Sequence, residues 1–511
     1  MAGIITTILI ILYRIPLIII LGDKAIGYYS IAYEWFMLFT ALLCFGLPET
    51  LSRQIKNHAE QKDYKSVSKI FQGALLYAFT AGLISSLLFI LLPAIFTKVF
   101  IASEGSTQLL KLLGINILLT SILSVFHGFF QGMHAFKVSK VAKQVEQAGV
   151  AVFSVLLVVL LHETGAVLGI TAGIILSLLF LILLFTAYNK KFKKLVKRSR
   201  KRCHKTYHSV IRKLIISMFP LVITTVIYHL SNIVDYAIFS RIMRIQGNPE
   251  HSYIILLGLL NGKYEFFISL PLLAANFMAV SIIPEIRKIR EYNNLRLIHT
   301  KISSCLRYTM MIIIPCVFSY IILAKPLMIF FFQDSNITAH RMLQIGAISI
   351  IFFGIAAIAN AVLCALDRWT EVAKNALLAV VIHGIVLFMM LVVFEWRIYA
   401  VVISRIVFSA SLCILNEHSL RGAIGYVQEQ KRTFTIPLIS SVIMAVFSLL
   451  IRLFFELFVG EHIAIFFALL TAFIIYFSAM IFLGGISEKE MLKLPLGKKL
   501  APFCRKIHLL K

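Results

Sequence analysis

The chain is a succession of long apolar runs separated by short polar ones. The runs fall near 4–21, 28–48, 73–96, 108–132, 143–162, 166–188, 215–242, 253–283, 303–324, 342–366, 373–394, 398–416, 435–456 and 463–484. About twenty helical residues cross a ~30 Å hydrocarbon core. None of the runs alternates with the period of two that barrel strands show. Inside a bilayer every backbone N–H and C=O needs an internal partner, so runs of this length predict helices. The expected fold is an all-α polytopic membrane protein with about fourteen transmembrane helices.

Composition agrees with that pattern. Of the 511 residues 60% are hydrophobic and 14% charged, and the mean hydropathy is +0.91. A soluble domain is nearer half apolar and about a quarter charged. The net charge of +27 would suggest nucleic acid in a soluble protein. Here its distribution gives another meaning. Loops at 49–72, 133–143, 189–213, 284–301, 367–374, 417–434 and the tail 485–511 hold 37 of the 50 Lys and Arg. The intervening loops hold six: Lys24, Lys98, Arg244, Lys325, Arg341 and Arg397. Basic loops stay in the cytoplasm, so the chain is expected in the cell membrane with both termini cytoplasmic. The run from Lys190 to Lys213 reads first as a topogenic loop, then as a site for anionic headgroups. No nucleic-acid partner is expected. The seven cysteines form no CxxC pair and avoid the outer loops, so neither disulfides nor structural zinc are expected. No cofactor is expected either.

The sequence repeats itself. Pro48-Glu49 and Pro284-Glu285 each end an apolar run and open a basic loop, 236 residues apart. Val141-Ala142-Lys143-Gln144 and Val372-Ala373-Lys374-Asn375 each open a run, 231 residues apart. The unit is six spans, an even number, so the halves share one orientation. This predicts a six-helix bundle at 1–188, a basic linker at 189–213, a second bundle at 214–417, two added helices at 435–484 and a basic tail at 485–511. Secondary transporters commonly bind substrate between such halves.

Charges inside spans are costly and face a cavity or a partner. Arg14 and Glu34 lie on the two legs of the first hairpin at similar depth. They are expected to pair or to face one cavity, with Pro16 kinking the helix beside Arg14. In the seventh span Thr224, Tyr228, Ser231 and Asp235 form a polar stripe with Asn232 alongside. In the eighth, Asn261, Glu265, Ser269 and Asn276 form another. Glu34, Asp235, Glu265, Asn232 and Asn276 are thus candidates for the cavity or for coupling to a cation, H+ or Na+. Arg241 and Lys263 lie nearer the outer end, where snorkelling to the interface is the alternative. Arg53 lies just past the inner end of the second span, where an anchor role is equally open. Lys111, Arg307, Arg405 and Arg452 read as anchors, and Glu146 as a satisfied contact between helices. His127, His229 and His383 read as hydrogen-bonded core histidines. No phosphate loop, HExxH zinc motif or nucleophile elbow occurs, so an enzyme is not expected.

Several stretches carry a family resemblance: Tyr13-Arg14-Ile15-Pro16-Leu17, Gly22-Asp23, Gly27-Tyr28-Tyr29, Gly46-Leu47-Pro48 with Ser52-Arg53, Gly128 to Gly132, Gly262-Lys263-Tyr264, Ser281 to Pro284, and Gly484 through Gly497. In order and spacing they resemble the stage V sporulation protein B-like proteins, of the polysaccharide-flippase branch of the multidrug/oligosaccharidyl-lipid/polysaccharide exporter superfamily. The resemblance implies two six-helix bundles with two extra C-terminal helices. It implies flipping of a lipid-linked peptidoglycan or polysaccharide precursor by alternating access. It also implies Arg14 and Arg53 as contacts for the lipid diphosphate. Arg241 and Lys263, basic residues within spans, are further candidates to neutralise it. Two rivals remain open: a multidrug cation antiporter of the same superfamily, favoured by an acidic, aromatic cavity, and a membrane-embedded glycan transferase.

Overall fold

The computed structural model describes residues 2–199 and 206–486, without the side chains of residues 2–12, 220, 221, 224, 459 and 462. Part of the expected linker (200–205), most of the expected tail (487–511), Cys203, Cys504 and the Thr224 side chain lie outside the described residues. The described residues form α-helices and short π-helical turns, with no strand. By packing the chain divides into two compact units, Met1–Gly262 and Lys263–Lys511.

The N-terminal unit holds α1 (Ala2–Cys44), α2 (Leu47–Glu60), α3 (Tyr64–Leu91), α4 (Ser106–Gly132), α5 (Phe136–Arg198), α6 (Tyr207–Ile245) and α7 (Glu250–Gly258). The C-terminal unit holds α8 (Glu265–Arg290), α9 (Leu295–Phe332), α10 (Ile337–Gly346), α11 (Ser349–Ala365), α12 (Trp369–Val392), α13 (Arg397–Ile424), α14 (Ile436–Val459) and α15 (Glu461–Phe482). The division by packing falls at Gly262, within the π-helical turn Leu259–Tyr264, and not in the basic stretch 189–213. One reason is that α6 and α7 both pack on α1. A Cβ on Gly258 would stand 1.7 Å from Asp23 O, and one on Gly27 2.2 Å from Ile254 O. Only glycine admits backbones so close.

Among the described residues ten helical segments are long and apolar enough to cross a membrane, or eleven if the bent pair α10–α11 is one span. Segments are not crossings, however. The 63 residues of α5 would extend ~95 Å if straight, three times the ~30 Å core. The helix breaks at His162 (φ 49°, ψ −132°), and its two legs pack on each other through Gly165, Gly169 and Gly173, spaced by four. A Cβ on Gly169 would lie 2.3 Å from Ser154 Cα, and one on Gly173 2.6 Å from Val150 N. Ser177 Oγ donates to Ala142 O across the same seam at 2.9 Å. Backbone cannot yield as a side-chain tip can. Gly169→Val should therefore cost about 1–3 kcal/mol by overpacking. Thermal unfolding in detergent reads this, and an unshifted midpoint would contradict the seam.

Hydrophobic burial fixes the end of the N-terminal unit around α2. Leu47, Leu51 and Ile55 of α2 are fully buried against α3 and α4. Around them Phe71, Phe126, Phe129, Phe185 and Phe192 meet edge to face or tilted, geometries that add to plain burial. Asp63 caps α3: Oδ1 accepts from Ser66 N at 3.2 Å, and Oδ2 lies 3.2 Å from His58 Nδ1. Burial raises the Asp63 pKa, but the Ser66 and His58 hydrogen bonds and the His58 charge outweigh it, leaving it below the usual 3.8. Asp63→Ala should cost about 1 kcal/mol as a lost cap. A depressed folded pKa stabilises above the unfolded value of ~3.9 and ceases to as pH falls. The gap between wild type and Asp63→Ala in chemical unfolding should therefore close below about pH 4.

In the C-terminal unit, Ile286, Ile302, Val362, Leu363 and Val372 centre one apolar cluster. A second ties α14 and α15 to α9 through Met444, Tyr476 and Met480, with Tyr476 OH donating to Met311 O at 2.8 Å. α14 and α15 are thus seated on α9.

Candidate functional site

The site in the N-terminal unit begins with a reversal of α1. Tyr13 and Tyr33 line the same cavity, although on a straight helix they would be ~30 Å apart. The turn is at Gly22, whose φ of 71° and ψ of 171° suit a residue without Cβ. Pro16 is passed without a break in helical backbone angles, so the hairpin owes its bend to Gly22. Ile18 and Ile26, one on each leg, both lie against Gly262.

Arg14 and Glu34 occupy these legs but find different partners. Arg14 Nη2 donates to Asn261 O at 3.0 Å. Glu34 Oε2 lies 2.8 Å from His229 Nδ1, and Oε1 accepts from Asn232 Nδ2 at 3.2 Å. The carboxylate is therefore held by α6, not by the arginine across the hairpin. Asn261 joins the same network: its Oδ1 accepts from Tyr236 OH at 2.7 Å, and its Nδ2 donates to Ser30 Oγ at 3.1 Å. His229, Asn232 and Tyr236 follow at i, i+3 and i+7 on one face of α6. That spacing is the signal by which His229 was findable. Asp235 is fully buried on this helix, whereas Tyr228 is exposed.

The other basic candidates are differently employed. Arg241 caps a π-helical turn: Nε donates to Phe100 O at 3.1 Å and Nη2 to Val99 O. Arg53 lies exposed on α2, 3.4 Å from Glu49 one turn earlier. Lys263 is buried, its Nζ 2.6 Å from Asp334 Oδ2 just past α9. Glu265 pairs with Arg405 at 3.0 Å, the arginine side chain being only 8% exposed. Arg405 is thus a buried partner inside α13 and not an end anchor. Asn276 is exposed on α8. Asp334 and Arg405 were the residues that sequence reasoning missed, since both partnerships span helices far apart in the chain.

A cavity of ≈560 Å3 lies within the N-terminal unit between α1, α4 and α5. Its charged residues are Glu49, Lys143 and Glu146. On its wall His127 Nδ1 lies 2.8 Å from Ser139 Oγ, which also accepts from Gln131 Nε2 at 2.9 Å. Glu146 has no hydrogen bond or ion pair among the described residues, so it is a cavity residue and not a satisfied contact. Among the described residues no group of His, Cys, Asp and Glu is arranged to hold a metal ion.

The model of the polysaccharide biosynthesis protein family matches residues 1–289. The chain belongs to this family. It is 21% identical to the lipid II flippase MurJ of Bacillus subtilis over 68% of each chain. It is 26% identical to stage V sporulation protein B of the same organism over 147 residues, 28% of each. Among solved structures, an inward-facing multidrug resistance MATE family transporter of the MOP superfamily covers 81% of this chain and 94% of its own, with a TM-score of 0.69 at 12% identity. The lipid II flippase MurJ in an inward closed conformation covers 94% and 96%, with a TM-score of 0.65 at 15% identity. The fold is therefore that of MOP-type transporters, and the sequence resemblance to the sporulation protein B-like branch agrees with the family.

Proposed function

We propose that this protein is a flippase that moves a lipid-linked cell-wall glycan precursor, such as lipid II, across the cell membrane by alternating access. Family membership and the likeness to a lipid II flippase support the substrate class. The observation that carries the residue assignment is the state of Arg14. A guanidinium has five N–H donors, and among the described residues one of Arg14's is spent, on Asn261 O. Arg241, Lys263 and Arg405 are engaged by carbonyls or carboxylates. Arg14 is the basic candidate in a span with donors to spare for a diphosphate, which guanidinium groups grip in bidentate fashion. Arg53, exposed on α2, suits first capture of the headgroup. Arg241 and Lys263 are reassigned from substrate contacts to holding the helix ends.

The reading extends to fourteen spans in two six-helix repeats plus α14 and α15, with both termini cytoplasmic on the side of the basic loops. It assigns transport and no enzymatic activity. The carboxylates of the N-terminal cavity favour a second reading, export of organic cations. Complementation separates the two. In cells depleted of their native flippase, the wild-type chain should restore precursor translocation. Failure to restore it, with cationic dye export gained instead, would decide for the antiporter.

A further inference from the structure

We propose that a cavity beside the first turns of α9 binds the phosphate ester headgroup of an anionic glycerophospholipid, in the leaflet that meets the basic loops 284–301 and 417–434. The cavity measures ≈380 Å3 and lies wholly within the C-terminal unit. It shares no residue with the groups assigned above to the transported precursor. α9 supplies Arg296, His299, Thr300, Ser303 and Arg307, and the connection after α13 supplies Glu429.

The sequence builds this wall on one helix face. Arg296, Thr300, Ser303 and Arg307 follow at i, i+4, i+7 and i+11, spacings that align on an α-helix. The opposite face carries Ile298, Ile302 and Leu306, buried in the apolar cluster of this unit. The connection after α13 is fastened along the polar stripe. His299 Nε2 donates to Ile424 O at 2.8 Å, and Ser303 Oγ lies 3.1 Å from Tyr426 OH. These bonds hold the two sides of the cavity together.

The donors suit a phosphate. Guanidinium groups grip one in bidentate fashion. Arg296 is exposed and its side chain has no hydrogen bond or ion pair among the described residues. Lys301, off this face of the same helix, is by contrast paired with Glu285 at 2.8 Å. Thr300 Oγ1 donates to Arg296 O at 2.9 Å and Ser304 Oγ, also on the wall, to Thr300 O at 2.8 Å. Those carbonyls already accept from N–H groups of the helix, so turning the hydroxyls to a ligand orphans no carbonyl. A snorkelling anchor accounts for one arginine in an apolar run. It does not account for three hydroxyls and a second arginine on its face.

The cavity's length and its carboxylate narrow the ligand. The Cα atoms of Arg296 and Arg307 stand ~16 Å apart along the helix, more than a bare phosphate fills. Glu429 repels a bare phosphate but accepts hydrogen bonds from hydroxyl groups. A phosphate esterified to glycerol meets both conditions. Depth favours a lipid as its source over a soluble ester. Arg296 precedes the apolar run 303–324, and Arg307 lies four residues inside it. The cavity thus crosses the headgroup level, where anionic lipids attract basic side chains.

The test follows thermal unfolding of the purified full chain in a neutral detergent. It is titrated with dioctanoyl phosphatidylglycerol, dioctanoyl phosphatidylcholine or glycerol 3-phosphate, and the readout does not depend on transport. Phosphatidylglycerol should raise the midpoint saturably, and phosphatidylcholine, whose choline offsets the phosphate charge, should not. Arg296→Gln changes an exposed side chain and should raise the half-saturating concentration at least about tenfold. Arg296→Lys, which keeps the charge and loses the fork, should fall between. Arg307→Gln should weaken binding as much, and Arg296→Gln carries the test alone if that variant does not fold. Lys301→Gln removes the same charge from the same helix outside the cavity and should leave the half-saturating concentration unchanged. An equal response to the two lipids, or equal half-saturation in wild type and Arg296→Gln, overturns the site. Equal weakening by Lys301→Gln also overturns it, in favour of attraction to net charge. Saturable stabilisation by glycerol 3-phosphate alone, lost in Arg296→Gln, supports the phosphate site and overturns the lipid as its source.

Discussion

Replacing Arg14 by alanine should reduce precursor flipping by at least tenfold at matched membrane expression. A charge in a span is costly and persists where something anionic answers it. Arg14 gives one hydrogen bond to Asn261 O, and no carboxylate meets it among the described residues. Hydrogen bonds to charged groups are worth about 1.5–3 kcal/mol each, and a factor of ten in affinity is about 1.4 kcal/mol. A bidentate grip on a diphosphate thus corresponds to one to several orders of magnitude. Arg14→Lys keeps the charge but loses the fork, so it should fall between the two. The measurement is initial flipping rate against precursor concentration. Wild-type flux in Arg14→Ala would remove this residue from the site.

The second large effect concerns stability. Glu265→Ala should destabilise the protein by up to about 3–5 kcal/mol, because it removes the carboxylate 3.0 Å from a buried guanidinium. The pair is 3.0 Å apart, with side chains 8% and 21% exposed. The double replacement Glu265→Leu with Arg405→Met should regain most of that loss, since well-packed apolar residues often match a buried pair. Unfolding midpoints in detergent for the two singles and the double close the cycle. If Glu265→Ala shifts the midpoint no more than the double does, the pair is not a buried partnership.

The comparison of sequence and structure shows where each kind of information resides. Depth along a helix was legible. The apolar runs 143–162 and 166–188 part at the residue where α5 turns, His162. The first hairpin turns at Gly22, between legs already assigned from hydropathy. These features follow from one dimension, the number of apolar residues that a bilayer spans. Partner choice was not legible, because it depends on which face of each helix meets which neighbour. Arg14 and Glu34 share a depth, yet α6 supplies Glu34's partners through His229 and Asn232. Lys263 finds Asp334 and Glu265 finds Arg405 across 71 and 140 residues. The period of Glu146 on α5 places it on the face with Lys143, but only the fold shows a cavity there.

The central claim is transport of a lipid-linked diphosphate glycan, and reconstitution tests it most directly. Purified protein is placed in vesicles with lipid II in both leaflets, and a membrane-impermeant reagent modifies the exposed headgroups. In protein-free vesicles about half of the lipid stays protected because it faces inward. With the wild-type chain, nearly all of it should become modified within the time that leaves the protein-free half untouched. A protected half that persists with folded wild-type protein in the membrane would contradict the account.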